Sequence, residues 1–116
     1  MDGEARYNDR FCDNRQLSFG SKVSILRHLF SQTQERFGEE MNLHKNAICH
    51  IEKKAVTAED LTMDQLLKLY YRITIVMENR DLIDPMTKQC CDLILPDIKY
   101  EIHNRILKGR EIGLTT

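Results

Sequence analysis

The apolar positions of this chain recur at helical rather than strand spacing. From Ser21 onward Val23, Leu26 and Phe30 fall three and four residues apart, with Ile25 and Leu29 on a flanking stripe. Such steps return a side chain to the same side of an α-helix, so a first helix is predicted here. Thr33 can cap a second helix by accepting a hydrogen bond from a backbone N–H of its first turn, and Phe37 and Met41 face the core from it. Gly38 weakens a helix, and makes sense where another backbone comes close. Asn42 marks a sharp turn, because Asn tolerates the left-handed conformation better than most residues. A third helix from about Lys45 to Lys53 buries Ile48 and Ile51.

Ala55 to Leu61 reads as a loop. Thr62 and Gln65 then have the spacing of a capping box, and Leu61 with Leu66 that of a hydrophobic staple. Leu66, Leu69, Tyr70, Ile73 and Met77 continue the apolar face of this fourth helix. Asp84-Pro85 is another start signal, with Asp as cap and Pro at the first helical position. Leu95-Pro96 is expected to interrupt that segment. A last helix then runs to about Lys108, with Ile98, Ile102 and Ile106 at fourfold spacing and Gly109 closing it. Residues 1–18 show no apolar period and read as an arm, either mobile or forming a short helix around Tyr7 to Cys12 that docks elsewhere. The pattern holds no internal repeat and no strand. It predicts an all-α chain: an arm over 1–18, a compact bundle of about five helices over 19–79 and a helical extension over 80–116.

Composition narrows the chemistry. At 116 residues there is room for one domain with a modest core. Two prolines and five glycines are too few for a many-turned β fold. No apolar run approaches the roughly 18 residues of a membrane span, and the charged N-terminus is no signal peptide, so no membrane partner and a cytoplasmic location are expected. Cys12, Cys49, Cys90 and Cys91 form no Cys-x-x-Cys pair, and the histidines add no matching ligand spacing. Free thiols and no metal or cofactor follow, and nothing selects Cys49 as a redox sensor. The histidines also lie apart from the cysteines, and neither a Gly-rich phosphate loop nor a suitable acid pair appears, which argues against an enzyme. The net charge of −1 is unusual for a nucleic-acid binder, so any such case must be local. Residues 44–54 supply it: Lys45, Lys53 and Lys54 stand against Glu52 alone.

Leu26-Arg27, followed by Thr33-Gln34, Phe37-Gly38, Met41-Asn42 and Ile48-Cys49-His50-Ile51-Glu52, falls in one unbroken register. In that joint spacing the stretch resembles the helix-turn-helix of the Cro and phage-repressor family, and the helix capped by Thr62 fits the helix that follows it there. The resemblance covers roughly residues 19–77. The sequence departs from the pattern at His44, where the family prefers Ser or Thr, at Gln32, at Lys54 and through the Ala55 to Leu61 loop.

The resemblance implies a repressor-like helix-turn-helix bundle whose third helix lies in the DNA major groove while the second crosses the backbone. With Ile48 and Ile51 inward, His44, Lys45, Asn46 and His50 point outward as candidate base contacts. Asn pairs bidentately with adenine, and Lys donates to guanine. Lys45 at a helix start opposes the dipole at a cost of about 0.3–1 kcal/mol, which a phosphate or guanine edge would offset. Thr33, Gln34, Lys53 and Lys54 are the candidate phosphate contacts. Arg27 and Glu52 match a family ion pair and are expected within salt-bridge distance, joining helices one and three.

The function so implied is a sequence-specific DNA-binding transcriptional regulator. It would be a homodimeric repressor reading a palindromic operator with half-sites about 34 Å apart on double-stranded DNA. Asp84 to Lys108 offers apolar stripes for the dimer contact, unless that segment packs back on its own domain. The alternative is a protein-interaction module or antitoxin on the same scaffold, with a protein partner held by the C-terminal helices.

Overall fold

Helices here begin at polar side chains that take over N–H groups no helical carbonyl can reach. In the computed structural model, which describes residues 17–79 and 83–115 (backbone alone after 109), Ser18 caps α1 (Phe19–Leu29) and Thr33 caps α2 (Gln34–Glu40), each accepting an N–H at 3.1 Å. His44 caps α3 (Lys45–Lys54). A 3-10 turn (Ala58–Asp60) is held by a capping box of Thr57 and Asp60 inside the expected loop. α4 (Met63–Glu78) opens on the expected Thr62–Gln65 box, with reciprocal bonds of 3.1 and 3.0 Å. α5 (Pro85–Thr115) starts behind Asp84, whose carboxylate accepts the Thr87 N–H at 2.9 Å and the Thr87 hydroxyl at 2.8 Å. The architecture is an all-α bundle, with no strand among the described residues. The expected helix around Tyr7 to Cys12, and the arm up to residue 16, lie outside those residues.

One core unites the five described helices. Val23, Leu26, Phe37, Ile48, Ile51, Leu66, Leu69, Ile73, Cys91, Ile94 and Ile98 belong to a single buried cluster. α1 packs on α3 and α5, α2 on α3, and α5 on α4 and the 3-10 turn. Tyr70 and Met77, expected on the apolar face of α4, sit only partly buried at its edge. No helix among the described residues is long and apolar enough to cross a membrane.

The C-terminal part differs from expectation in two ways. Pro96 does not interrupt it: α5 is a single helix of 31 residues with Pro96 inside. An internal proline costs about 3 kcal/mol or more. Ile94 and Ile98 on either side of it are fully buried, and burying each such side chain returns roughly 1.5–3 kcal/mol. Gly109 does not close the helix either. A closing glycine takes a left-handed φ, and no glycine among the described residues has one. Cys90, Cys91, Ile94 and Ile98 belong to the same buried cluster as the preceding helices. The stripe considered for a dimer contact is thus spent within its own chain as far as Ile98, with Ile102 partly buried and Ile106 and Leu107 exposed.

Candidate nucleic-acid interface

The turn between α2 and α3 is fixed by backbone geometry. Asn42 has φ 55°, the left-handed value its side chain tolerates. The Leu43 N–H donates to Gly38 O at 2.8 Å, so the chain folds back on α2 just where a side chain is missing. A Cβ on Gly38 would lie 2.5 Å from Leu43 O and 3.2 Å from Ile48 Cγ1. The close approach expected from Gly38 is therefore present, and it is to the turn itself. Gly20 plays the same part at the far end of α3, where an added Cβ would strike the carbonyl oxygen of Ile51. There the first N–H groups of α1, Phe19 and Gly20, donate to Val56 O and Ala55 O at 2.9 Å each.

His44 solves the capping problem in an uncommon way. Its Nδ1 accepts the Asn46 N–H at 3.0 Å, doing the work of a Ser or Thr oxygen. A ring nitrogen that accepts carries no proton, so the neutral ring holds its hydrogen on Nε2 and offers it outward as a donor.

Beyond the cap, Ile48 and Ile51 turn inward at 0% and 4% exposure. Asn46, His50 and Lys53 share the opposite face of α3, four and three residues apart, and all three are exposed. Lys45 and half-buried Cys49 flank that face on one side and Lys54 on the other. Lys53 thus shares the face of the candidate base contacts, at the C-terminal end of the helix. Among the described residues, no ion pair engages Lys45, Lys53 or Lys54, so their charges face solvent. Lys53 and Lys54 lie in the last turn, where cations suit the helix dipole.

Behind α3 stands the expected ion pair, in bidentate form. Arg27 Nε meets Glu52 Oε2 at 2.6 Å and its Nη2 meets Oε1 at 3.0 Å. Gln34 Nε2 donates to the same Oε1 at 3.2 Å, and Arg27 Nη1 donates to Gln32 O at 2.9 Å. One carboxylate therefore joins α1, α2 and α3. Burial raises the Glu52 pKa, but the hydrogen bonds from Arg27 and Gln34 and the Arg27 charge outweigh it, so the net shift is below the ordinary 4.5. Gln34 is half-buried, with one of its N–H groups committed inward; its second remains, as does the hydroxyl proton of Thr33, whose oxygen is taken by the Arg36 N–H.

Several supports had no local signal in the sequence. Lys68 Nζ donates to Asn42 O at 3.1 Å while pairing with Asp64 at 3.0 Å, which ties α4 to the turn before α3. Arg72 pairs with Glu40 at the end of α2 and lies 5.6 Å over the Phe30 ring. Arg105 donates to Glu59 O and Leu61 O, anchoring α5 to the 3-10 turn. On the outer side of α2, by contrast, exposed Glu35 and Glu39 flank Arg36, which pairs with Glu40 at 3.4 Å and with Glu39 at 3.7 Å.

The site is thus an open, basic helix face set by a tight turn and braced from behind. Among the described residues no group of three or more His, Cys, Asp or Glu side chains could hold a metal ion. No protein-family model matches the chain, and no curated protein or solved structure matches it.

Proposed function

We propose that the chain is a sequence-specific DNA-binding transcriptional regulator of repressor type, acting in the cytoplasm as a pair on a palindromic site, with no catalytic step of its own. One observation carries this reading: Asn46, His50 and Lys53 line an exposed face of α3 that begins at a hydrogen-bonded turn and is backed by the Arg27–Glu52 fork. A reading helix needs side chains free to meet base edges and a fixed orientation. Asn46 reads adenine through its amide, while Lys45, His50 and the Nε2–H of His44 donate to guanine or neighbouring phosphates. Lys53 and Lys54, with Thr33 and the free N–H of Gln34, hold the backbone.

A protein partner is the second reading, and the acidic outer side of α2 favours it. If α2 crosses the duplex, Glu35 and Glu39 approach phosphates, which is repulsive. Two measurements separate the readings. Asn46→Ala should weaken binding to a site selected from random oligonucleotides by roughly 1–3 kcal/mol and relax choice at one base pair. Affinity should also fall steeply with salt. A flat salt response, or no oligonucleotide selected at all, refutes DNA reading and leaves the protein partner.

A further inference from the structure

The solvent side of α4 carries a stripe that the bundle does not use. Leu67, Tyr71 and Ile75 recur every four residues, opposite the face that buries Leu66, Leu69 and Ile73, and are 44%, 71% and 46% exposed. A helix packed on a core ordinarily turns polar residues to that side. Three large apolar side chains in line there are more than scattered surface exposure. Charges bracket the stripe: Lys68, which holds Asp64 at 3.0 Å and Asn42 O at 3.1 Å, toward its N-terminal end, and Glu78 at the other.

We propose that this stripe is the contact between two copies of the chain, with α4 lying antiparallel on α4 of the second copy about a two-fold axis. Such a contact has to be self-complementary, and this one is. A register that sets Tyr71 against Ile75 of the second copy also sets Lys68 against Glu78 of the second copy, and symmetry repeats both pairs. A parallel arrangement would instead bring Lys68 beside Lys68 and Glu78 beside Glu78. An ammonium has three N–H donors, so Lys68 keeps one for Glu78 of the second copy beside its bonds to Asp64 and Asn42 O, and charge favours the antiparallel pair. The need for a second copy rests on the DNA reading above, since one α3 touches too few base pairs to specify an operator. The Lys68–Asn42 hydrogen bond links the stripe's helix to the turn before α3, so pairing through α4 sets the separation of the two reading helices. One helix face is small for a specific interface, and the free dimer should be weak, tightening on DNA.

The test is sedimentation of the full chain without DNA over rising concentration. Wild type should pass from monomer to dimer. Tyr71→Ser with Ile75→Ser should raise the dimer Kd at least about tenfold while the melting temperature and helical circular dichroism hold. Glu78→Lys, which sets lysines opposite one another across the axis, should weaken the dimer more than Glu78→Gln does. A chain monomeric up to about 1 mM, a dimer indifferent to the Tyr71 and Ile75 changes, or a dimer unaffected by Glu78→Lys would each overturn the proposal. Because DNA is absent, the two ideas fail separately. A monomer that still binds a single half-site removes the α4 contact alone, and a dimer that binds no DNA removes only the DNA reading.

Discussion

Gly38→Ala tests how tightly the turn before α3 is set. In an open helix this substitution is favourable by about 0.8–1.0 kcal/mol, because alanine loses less backbone freedom than glycine. At Gly38 the new methyl would sit 2.5 Å from Leu43 O, where ordinary contact begins near 3.4 Å. The turn or α2 must therefore give by nearly 1 Å, and the neighbour is backbone, with no rotamer to move aside. That shift also strains the 2.8 Å bond from Leu43 N to Gly38 O. Overpacking of this kind costs roughly 1–3 kcal/mol, which exceeds the gain in helix propensity. The expected net effect is a loss of up to about 2 kcal/mol, read as a lower urea midpoint with an unchanged slope. Gly109→Ala is the matched control. It lies in α5 with nothing within 4 Å of the added Cβ, so it should gain about 0.5–1 kcal/mol. Equal stabilisation by both substitutions would refute the close approach of turn and helix.

Arg27→Ala should destabilise by roughly 3 kcal/mol, since it leaves the largely buried Glu52 carboxylate without its cation; urea unfolding at neutral pH measures it. The acid side gives an independent check. The folded pKa of Glu52 is below its ordinary 4.5, so its contribution is complete above that value and is lost as pH falls through the lowered one. Glu52→Gln should flatten that part of the pH–stability curve, and an unaltered acid slope would exclude the ion pair as its source. Thiol alkylation of the native chain should spare Cys90 and Cys91, whose burial pushes them up to about 12 and about 11, while half-exposed Cys49 reacts. Fast labelling of all three by mass spectrometry would contradict the seating of α5 on the core.

What the sequence determined by itself is what acts over one or two helical turns. Thr33, the Thr62–Gln65 box and Asp84 were legible as helix starts because a cap and its N–H lie within three residues. Ile48 and Ile51 were legible as the inner side of α3, and Asn42 as a turn residue, because periodicity and backbone preference are local. The Arg27–Glu52 fork was legible only through the spacing of a whole motif.

Tertiary structure decided the rest, and in each case the deciding energy came from residues far along the chain. Pro96 reads as a break, but the burial of Ile94 and Ile98 against the other helices offsets its cost and keeps α5 whole. His44 reads as a poor cap until its ring is oriented to accept the Asn46 N–H. Lys68 carries no sign that it will hold the Asn42 carbonyl, and the apolar stripe of α5 does not reveal that it closes its own core. Local preference names the helices; which faces they spend on one another, and which they leave open, is set only when the core is assembled.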